Sequence, residues 1–242
     1  MAGHSKWAQI KHKKAITDAK KGARFSKMMQ EVQVAAATGG IDPSANPRLR
    51  TALSNARAEG ITKDTIERAL SRAAGRDETQ LEEFLYEATA PGGIMILIEG
   101  ITDSKNRTHA EIKHLLSEHS ARLADPGSVL WNFQKIGIIE FGITAAIGKS
   151  DEEIELGAID AGAVDIKKIS DRWVIETVFE KSDAVCKNLE VFGIRECTTT
   201  HEYKNKSPIE APEANEQTLE PLFDELLEHN DVQEIYTNIT NN

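Results

Sequence analysis

EQTLEPLFDELLEHNDVQEIYTNI (216–239) decides the fold. Leu219, Leu222, Phe223, Leu226 and Leu227 recur at helical spacing over 216–229, and 231–239 reads as a strand. One helix and one strand bury too little to form a core alone. The segment before them, 137–203, already reads as a complete βαββαβ set. Its expected strands are 137–142, 163–169, 172–179 and 196–203, and its helices 151–161 and 182–192. The surplus pair therefore returns to an earlier unit, the ββαβ pattern of 81–134. There, strands at 83–89 and 94–99 flank the turn Ala90-Pro91-Gly92-Gly93. A polar loop over 102–107 leads into a helix at 110–119 with Ile112, Leu115 and Leu116 inward, and a strand at 128–134 follows Pro126-Gly127.

Upstream the period is helical. Phe25, Met28, Met29, Val32, Ala35 and Ala36 mark a first helix from about Ala23, stopped by Gly39-Gly40. Asn46-Pro47 reads as an N-cap followed by Pro at N1 of a second helix, with Leu49, Ala52, Leu53 and Ala56 inward. Thr62 caps a third, with Ile61 and Ile66 at the hydrophobic-staple positions. The expected fold is multidomain, α and α+β. A basic arm and three-helix bundle occupy 1–76, and an α+β domain is made of 77–134 and 205–242. A ferredoxin-like domain, 135–204, is inserted in the second.

Charge is unevenly divided. The 242 residues carry a net charge of −10, yet residues 1–76 hold 15 Lys/Arg against 6 Asp/Glu, a net of +9, and 77–242 a net of −19. The first 27 residues contain eight Lys/Arg and one acid, Asp18, with Trp7, His4 and His12 interleaved. Such a segment buries too little to order itself and is aimed at a polyanion. Arg50 and Arg57 share a face of the second helix, and Arg68 and Arg72 a face of the third, which makes the bundle basic outward.

Other chemistries find no pattern. His109, His114 and His119 are five apart, about 140° per step on a helix, and cannot converge on one ion. His201-Glu202 lacks a second histidine, and Gly92-Gly93 precedes a strand, where no phosphate loop is built. No nucleophile–base arrangement is assignable, so neither an enzyme, a metal nor a cofactor is expected. Cys186 and Cys197 are too few for a disulfide framework, no apolar run follows the basic N-terminus, and none is long enough to span a bilayer. The expected place is the cytoplasm.

Gly3-His4-Ser5-Lys6-Trp7, Ile10-Lys11-His12, Asp18-Ala19-Lys20-Lys21-Gly22, Asn46-Pro47-Arg48-Leu49-Arg50 and Ile66-Glu67-Arg68-Ala69 together resemble the YebC family. The likeness continues at Pro91-Gly92-Gly93, Thr102-Asp103, Asn106-Arg107-Thr108 and Gly127-Ser128-Val129. The chain departs from the family pattern at Ala88-Thr89-Ala90, at Ser120-Ala121 in place of Gly-Gly, and at Ala124-Asp125-Pro126. The resemblance implies the same three-domain fold and one of two functions. One is a ribosome-associated translation factor that binds RNA and helps stalled, proline-rich elongation. The other is a DNA-binding transcriptional regulator.

In the DNA reading, Lys63, Asp64 and Thr65 of the third helix, with Glu67 and Arg68, would face bases, and two acids among five positions oppose that. The residues expected to meet nucleic acid are His4, Lys6, Trp7, Lys11, His12, Lys13, Lys14, Lys20, Lys21, Arg24, Lys27, Arg48 and Arg50. Lys105, Asn106 and Arg107 are expected as a second contact. Trp7 either stacks on a base or packs back on the bundle.

Overall fold

The structure is a computed structural model. It describes residues 18–75, 81–146, 148–194, 197–210 and 213–240, with the side chains of 18–21 and 213–218 left aside. The described residues up to Gln134, together with 205–240, form one compact unit, and Lys135–Lys204 form another.

The first unit begins with three helices, α1 (Asp18–Gly39), α2 (Pro47–Ala58) and α3 (Lys63–Ala74). Helix α1 reaches further towards the N-terminus than the apolar stripe from Phe25 announces. Met29, Val32, Ala35, Leu49, Leu53, Ala56, Ile66 and Ala69 make the core between the helices. Asn46 fixes the α1–α2 corner. Its Oδ1 accepts from Leu49 N–H at 3.1 Å, while Nδ2 donates to the carbonyls of Ala35 at 2.7 Å and Gly40 at 2.8 Å. The side chain thus satisfies one helix start and one helix end while buried. Gly39 must be small beside it, since a Cβ there would stand 2.6 Å from Asn46 Nδ2. Thr62 does sit at the N-cap of α3, but its hydroxyl pairs with that of Thr65 at 2.9 Å rather than with a backbone N–H. Ile61 and Ile66 are both buried, as the staple spacing requires.

The same unit holds a sheet of order β3-β1-β2-β8. Its strands are β1 (Glu82–Ala90), β2 (Ile94–Thr102), β3 (Arg122–Leu123) and β8 (Val232–Thr237). β1 and β2 are antiparallel with Ala88 opposite Ile96 and Phe84 opposite Gly100, so even-numbered residues share one face. That face packs on α4 (Lys105–Glu118) and α7 (Glu213–Glu228) through Phe84, Ala88, Ile96, Ile98, Ile112, Leu116, Leu222, Phe223 and Leu226. β8 lies antiparallel to β2, which brings the C-terminal helix and strand back to this sheet.

Besides shifts of a few residues at element ends, three features differ from the sequence reading. Helix α4 starts at Lys105, so the expected polar loop is already its first turn. The strand expected at 128–134 is instead a 3₁₀ turn (Leu130–Asn132) running into one long strand, β4 (Phe133–Gly142). The missing partner of β1 is the two-residue β3. Glu87 explains the turn. Its buried carboxylate accepts from the backbone N–H groups of Gly127, Val129 and Leu130, at 2.5, 2.6 and 2.8 Å. These bonds curl 127–130 away from sheet pairing.

The chain leaves the first unit after Gln134 and re-enters it at Asn205, and Asn132 joins the two segments. Asn132 is buried, its carbonyl accepts from Lys206 N–H at 2.7 Å, and its Oδ1 accepts from Ser207 N–H at 3.0 Å.

In the second unit the sheet order is β5 (Asp165–Ile169), β6 (Arg172–Val178), β4, β7 (Thr198–Asn205). Helices α5 (Asp151–Ala161) and α6 (Ser182–Phe192) pack on one face through Ile139, Phe141, Ile154, Ala158, Trp173, Ile175, Val185 and Leu189. Both span the residues expected from sequence. A capping box of Ser150 and Glu153 opens α5, and left-handed Gly162 and Gly193 close the two helices.

Two stability predictions follow from backbone geometry. Asn46→Ala leaves three backbone groups at the α1–α2 corner without their partner and lowers unfolding free energy by about 2–3 kcal/mol, read as a lower urea midpoint. Ser120 holds a left-handed φ of 59°, a conformation that glycine adopts without strain. Ser120→Gly relieves that backbone and raises stability by about 1 kcal/mol, seen as a higher melting temperature.

Candidate nucleic-acid interface

His4, Lys6, Trp7, Lys11, His12, Lys13 and Lys14 lie outside the described residues, as do the side chains of Lys20 and Lys21 on α1. The remaining cations of the expected interface divide by whether the fold already uses them. Arg24 is paired with Glu59, across from α1 to the end of α2. Lys27 Nζ donates to the Leu227 carbonyl at 2.6 Å, next to Gln233 Nε2, which reaches Gln30 Oε1 at 3.1 Å. Arg48 is held on two sides. Its Nε and Nη2 meet Glu31 at 2.8 and 3.1 Å, and its Nη1 and Nη2 meet Glu83 at 3.2 and 2.6 Å. These three side chains fasten α1 and α2 to each other, to α7 and to β1 of the first sheet. A planar guanidinium with all its edges on carboxylates is a structural bracket.

Arg50 is different. Its side chain is exposed and has no hydrogen bond or ion pair with a described residue, and the same holds for the side chains of Arg57 on α2 and of Arg68 and Arg72 on α3. Each helix thus turns two guanidinium groups outward. The seven- and four-residue spacings signal this in the sequence, because inward positions of both helices are taken by Leu49, Leu53, Ala56, Ile66 and Ala69. Free, long cationic side chains on a rigid bundle suit phosphate contact. At the start of α3, Lys63 is partnered by Glu67 at 3.5 Å and Asp64 is exposed.

The second expected contact is mostly internal. Lys105 pairs with Glu82 at 2.5 Å, and only Asn106 is exposed without a partner among the described residues. Arg107 reaches Asp231 at 2.8 Å and Asp103 at 2.9 Å. Asp231 is buried, and its Oδ2 accepts from Thr108 at 2.6 Å and Thr102 at 3.1 Å as well. Burial pushes its carboxyl up, but the bonds from Thr108, Arg107 and Thr102 outweigh that and hold it below the usual carboxylate value. Arg107 and Thr108 are therefore one end of a polar lock between α4, β2 and the turn before β8.

Glu111, His229 and Asp231 bring ligand-type atoms within 4.8 Å of one another. Those atoms are committed, however. His229 Nδ1 accepts from Asp231 N–H at 3.1 Å, which leaves the proton on Nε2, 3.0 Å from Glu111 Oε2. The Arg107 guanidinium beside Asp231 opposes a further cation. No helix among the described residues is long and apolar enough to cross a membrane.

Comparison with known proteins decides the family. Residues 5–76 match the TACO1/YebC protein N-terminal domain, and residues 81–239 the TACO1/YebC second and third domain. The chain belongs to the TACO1/YebC family. Relatives named probable transcriptional regulatory protein include one from Kosmotoga olearia, 42% identical over 98% of this chain and 94% of its own. Another, from Thermotoga maritima, is 43% identical over 98% and 93%. The crystal structure of a conserved hypothetical protein from Aquifex aeolicus is similar at a TM-score of 0.82, 37% identical, covering 98% of this chain and 97% of that one. Within this TACO1/YebC chain, the Asp231 lock predicts a defined acid response. Its contribution is complete above the unfolded carboxylate value of about 3.9 and fades as pH falls through the lower native one. Asp231→Asn should lower stability by about 2–4 kcal/mol at pH 7, and the gap from wild type should narrow below pH 4 in urea titrations across pH.

Proposed function

We propose that the chain is a nucleic-acid-binding regulator of gene expression that works on the ribosome, binding RNA through its N-terminal part and helping elongation stalled on proline-rich stretches. The observation that carries this reading is the set of outward guanidinium groups at Arg50, Arg57, Arg68 and Arg72, which have no partner among the described residues, on the bundle that directly follows the Lys-rich arm. The net of +9 over 1–76 against −19 over 77–242 directs the polyanion to that end. In this reading Lys6, Lys11, Lys13, Lys14, Lys20 and Lys21 neutralise phosphates, and Trp7 or His4 stacks on a base. Arg24, Lys27, Arg48, Lys105 and Arg107 hold the scaffold. The mechanism is positioning of RNA and substrate, without covalent chemistry.

We take the domains as 1–76, then 77–134 with 205–242, then an inserted 135–204. The strand order β5-β6-β4-β7 with two helices on one face supports a ferredoxin-like reading of the last. A second reading, direct reading of DNA bases, is favoured by the names of the relatives and by the succession α2, short turn, α3. Against it stand Asp64 and the Lys63–Glu67 pair at the end of α3 that would enter the groove.

Sedimentation of the full chain with purified ribosomes across a salt series tests the proposal. If about five cations engage phosphate, the log–log slope is about −3 to −5, and an Arg50/Arg57/Arg68/Arg72→Gln variant reduces its magnitude by about one or more. A preference above about 10³-fold for one promoter duplex over a scrambled duplex, at physiological salt, would transfer the chain to the transcriptional reading.

A further inference from the structure

Helix α5 is apolar on two opposite faces. Ile154, Gly157, Ala158 and Ala161 point into the core of the second unit. Leu156 and Ile159, three apart on the other side, are 64% and 58% exposed, and Val164, just past the Gly162 cap, is 71% exposed. An ordinary surface helix has one apolar stripe and a polar back. Here the back carries large aliphatics in line with carboxylates: Glu152, Glu155, Leu156, Ile159 and Asp160 fall at i, i+3, i+4, i+7 and i+8.

The charges on this face are equally one-sided. α5 contains five acids and no Lys or Arg. Asp151 is paired with Lys168 and Glu153 closes the capping box, but Glu152, Glu155 and Asp160 are exposed and have no partner among the described residues. Acids at 152, 155 and 160 therefore rim an aliphatic centre at 156 and 159. Pairing with a second copy of the same face would set these acids against each other without a counter-charge, and a nucleic acid would be repelled by them. The complement is a protein surface with an apolar centre and a Lys/Arg rim.

We propose that the outward face of α5 is a docking surface for such a basic protein on the ribosome, so that 135–204 grips protein while the N-terminal part grips RNA. The inference rests on the ribosome reading given above. Proteins that sit on structural RNA are rich in Lys and Arg because they neutralise phosphate, and they offer the rim this face lacks. Leu156 and Ile159 supply the desolvated centre, and the three acids set orientation and on-rate.

The test compares purified ribosomes with protein-free ribosomal RNA, using the full chain carrying either Leu156→Lys with Ile159→Lys, or Glu152→Lys with Glu155→Lys. All four side chains are solvent-facing, and circular dichroism with thermal melts checks that each variant folds as wild type does. Each pair should weaken ribosome binding roughly tenfold, as expected for loss of a small interface centre or its charged rim, without weakening binding to protein-free RNA, which the added lysines strengthen. Equal ribosome affinity of wild type and both variants overturns the docking surface while leaving the ribosome reading intact. A parallel loss of affinity for protein-free RNA assigns the face to RNA and likewise overturns it. If sedimentation equilibrium shows a wild-type dimer that Leu156→Lys with Ile159→Lys dissolves, a second copy is the occupant and the inference is wrong. Wild type that binds neither ribosomes nor RNA removes the ribosome reading, and this inference with it.

Discussion

The carboxylate of Asp231 is buried where β2 ends, α4 begins and β8 starts. Its side chain takes bonds from Thr102, Thr108 and Arg107, and its backbone carbonyl takes one from Ile101 N–H at 2.8 Å. Two consecutive elements and a third from near the other end of the chain are thereby set by one residue. The backbone there has no spare room: a Cβ on Gly100 would stand 2.1 Å from the Asp231 carbonyl and 2.3 Å from the Phe84 ring. A buried charge leaves little tolerance, because a lost donor would leave the carboxylate uncompensated. That intolerance fixes the register in which the C-terminal strand rejoins the first sheet.

Cations are sorted by the same logic. Where a carboxylate or carbonyl is built into reach, as for Arg48 with Glu31 and Glu83, the positive charge is absorbed by the fold. Where the neighbouring positions are filled with aliphatics facing inward, as on α2 and α3, the guanidinium groups meet no partner among the described residues. The basic N-terminal part of this chain therefore places one residue type in two settings, paired within the fold or turned outward. Position on the helix decides which setting each side chain has. α5 shows the reverse arrangement, with acids left over on a face that also keeps its aliphatics exposed.

Much of this was legible from periodicity and punctuation. Asn46-Pro47, Gly39-Gly40 and the Ile61/Ile66 spacing announce helix ends through local rules, and the structure places those ends accordingly. Residues 151–161 and 182–192 read as helices because apolar spacing and glycine stops agree. Misreadings arose where a distant partner overrides local preference. The 128–134 stretch looks extended, but Glu87, some forty residues earlier, draws its N–H groups into a turn. The polar run after Thr102 looks like a loop, yet Arg107 and Thr108 are bonded to Asp231, which is invisible at any local window. For the same reason Arg48, Lys105 and Arg107 read as free cations, whereas Arg50, Arg57, Arg68 and Arg72 read correctly as outward ones.

Asn132 holds the outgoing and returning segments side by side, and β8 is the last strand to be made. During synthesis the chain emerges from its N-terminal end, so β1 and β2 leave the ribosome while the edge of β2 that β8 will occupy is still bare. All four strands of the 135–204 sheet are available before β8 exists. The interrupted sheet must therefore wait, with one edge exposed, for a strand about 130 residues further on, and contacts that distant form slowly. The inserted unit closes its own pairings first, and in doing so shortens the effective loop that β8 has to span. An interruption in the sequence thus becomes a tether that brings the two halves of the first sheet together.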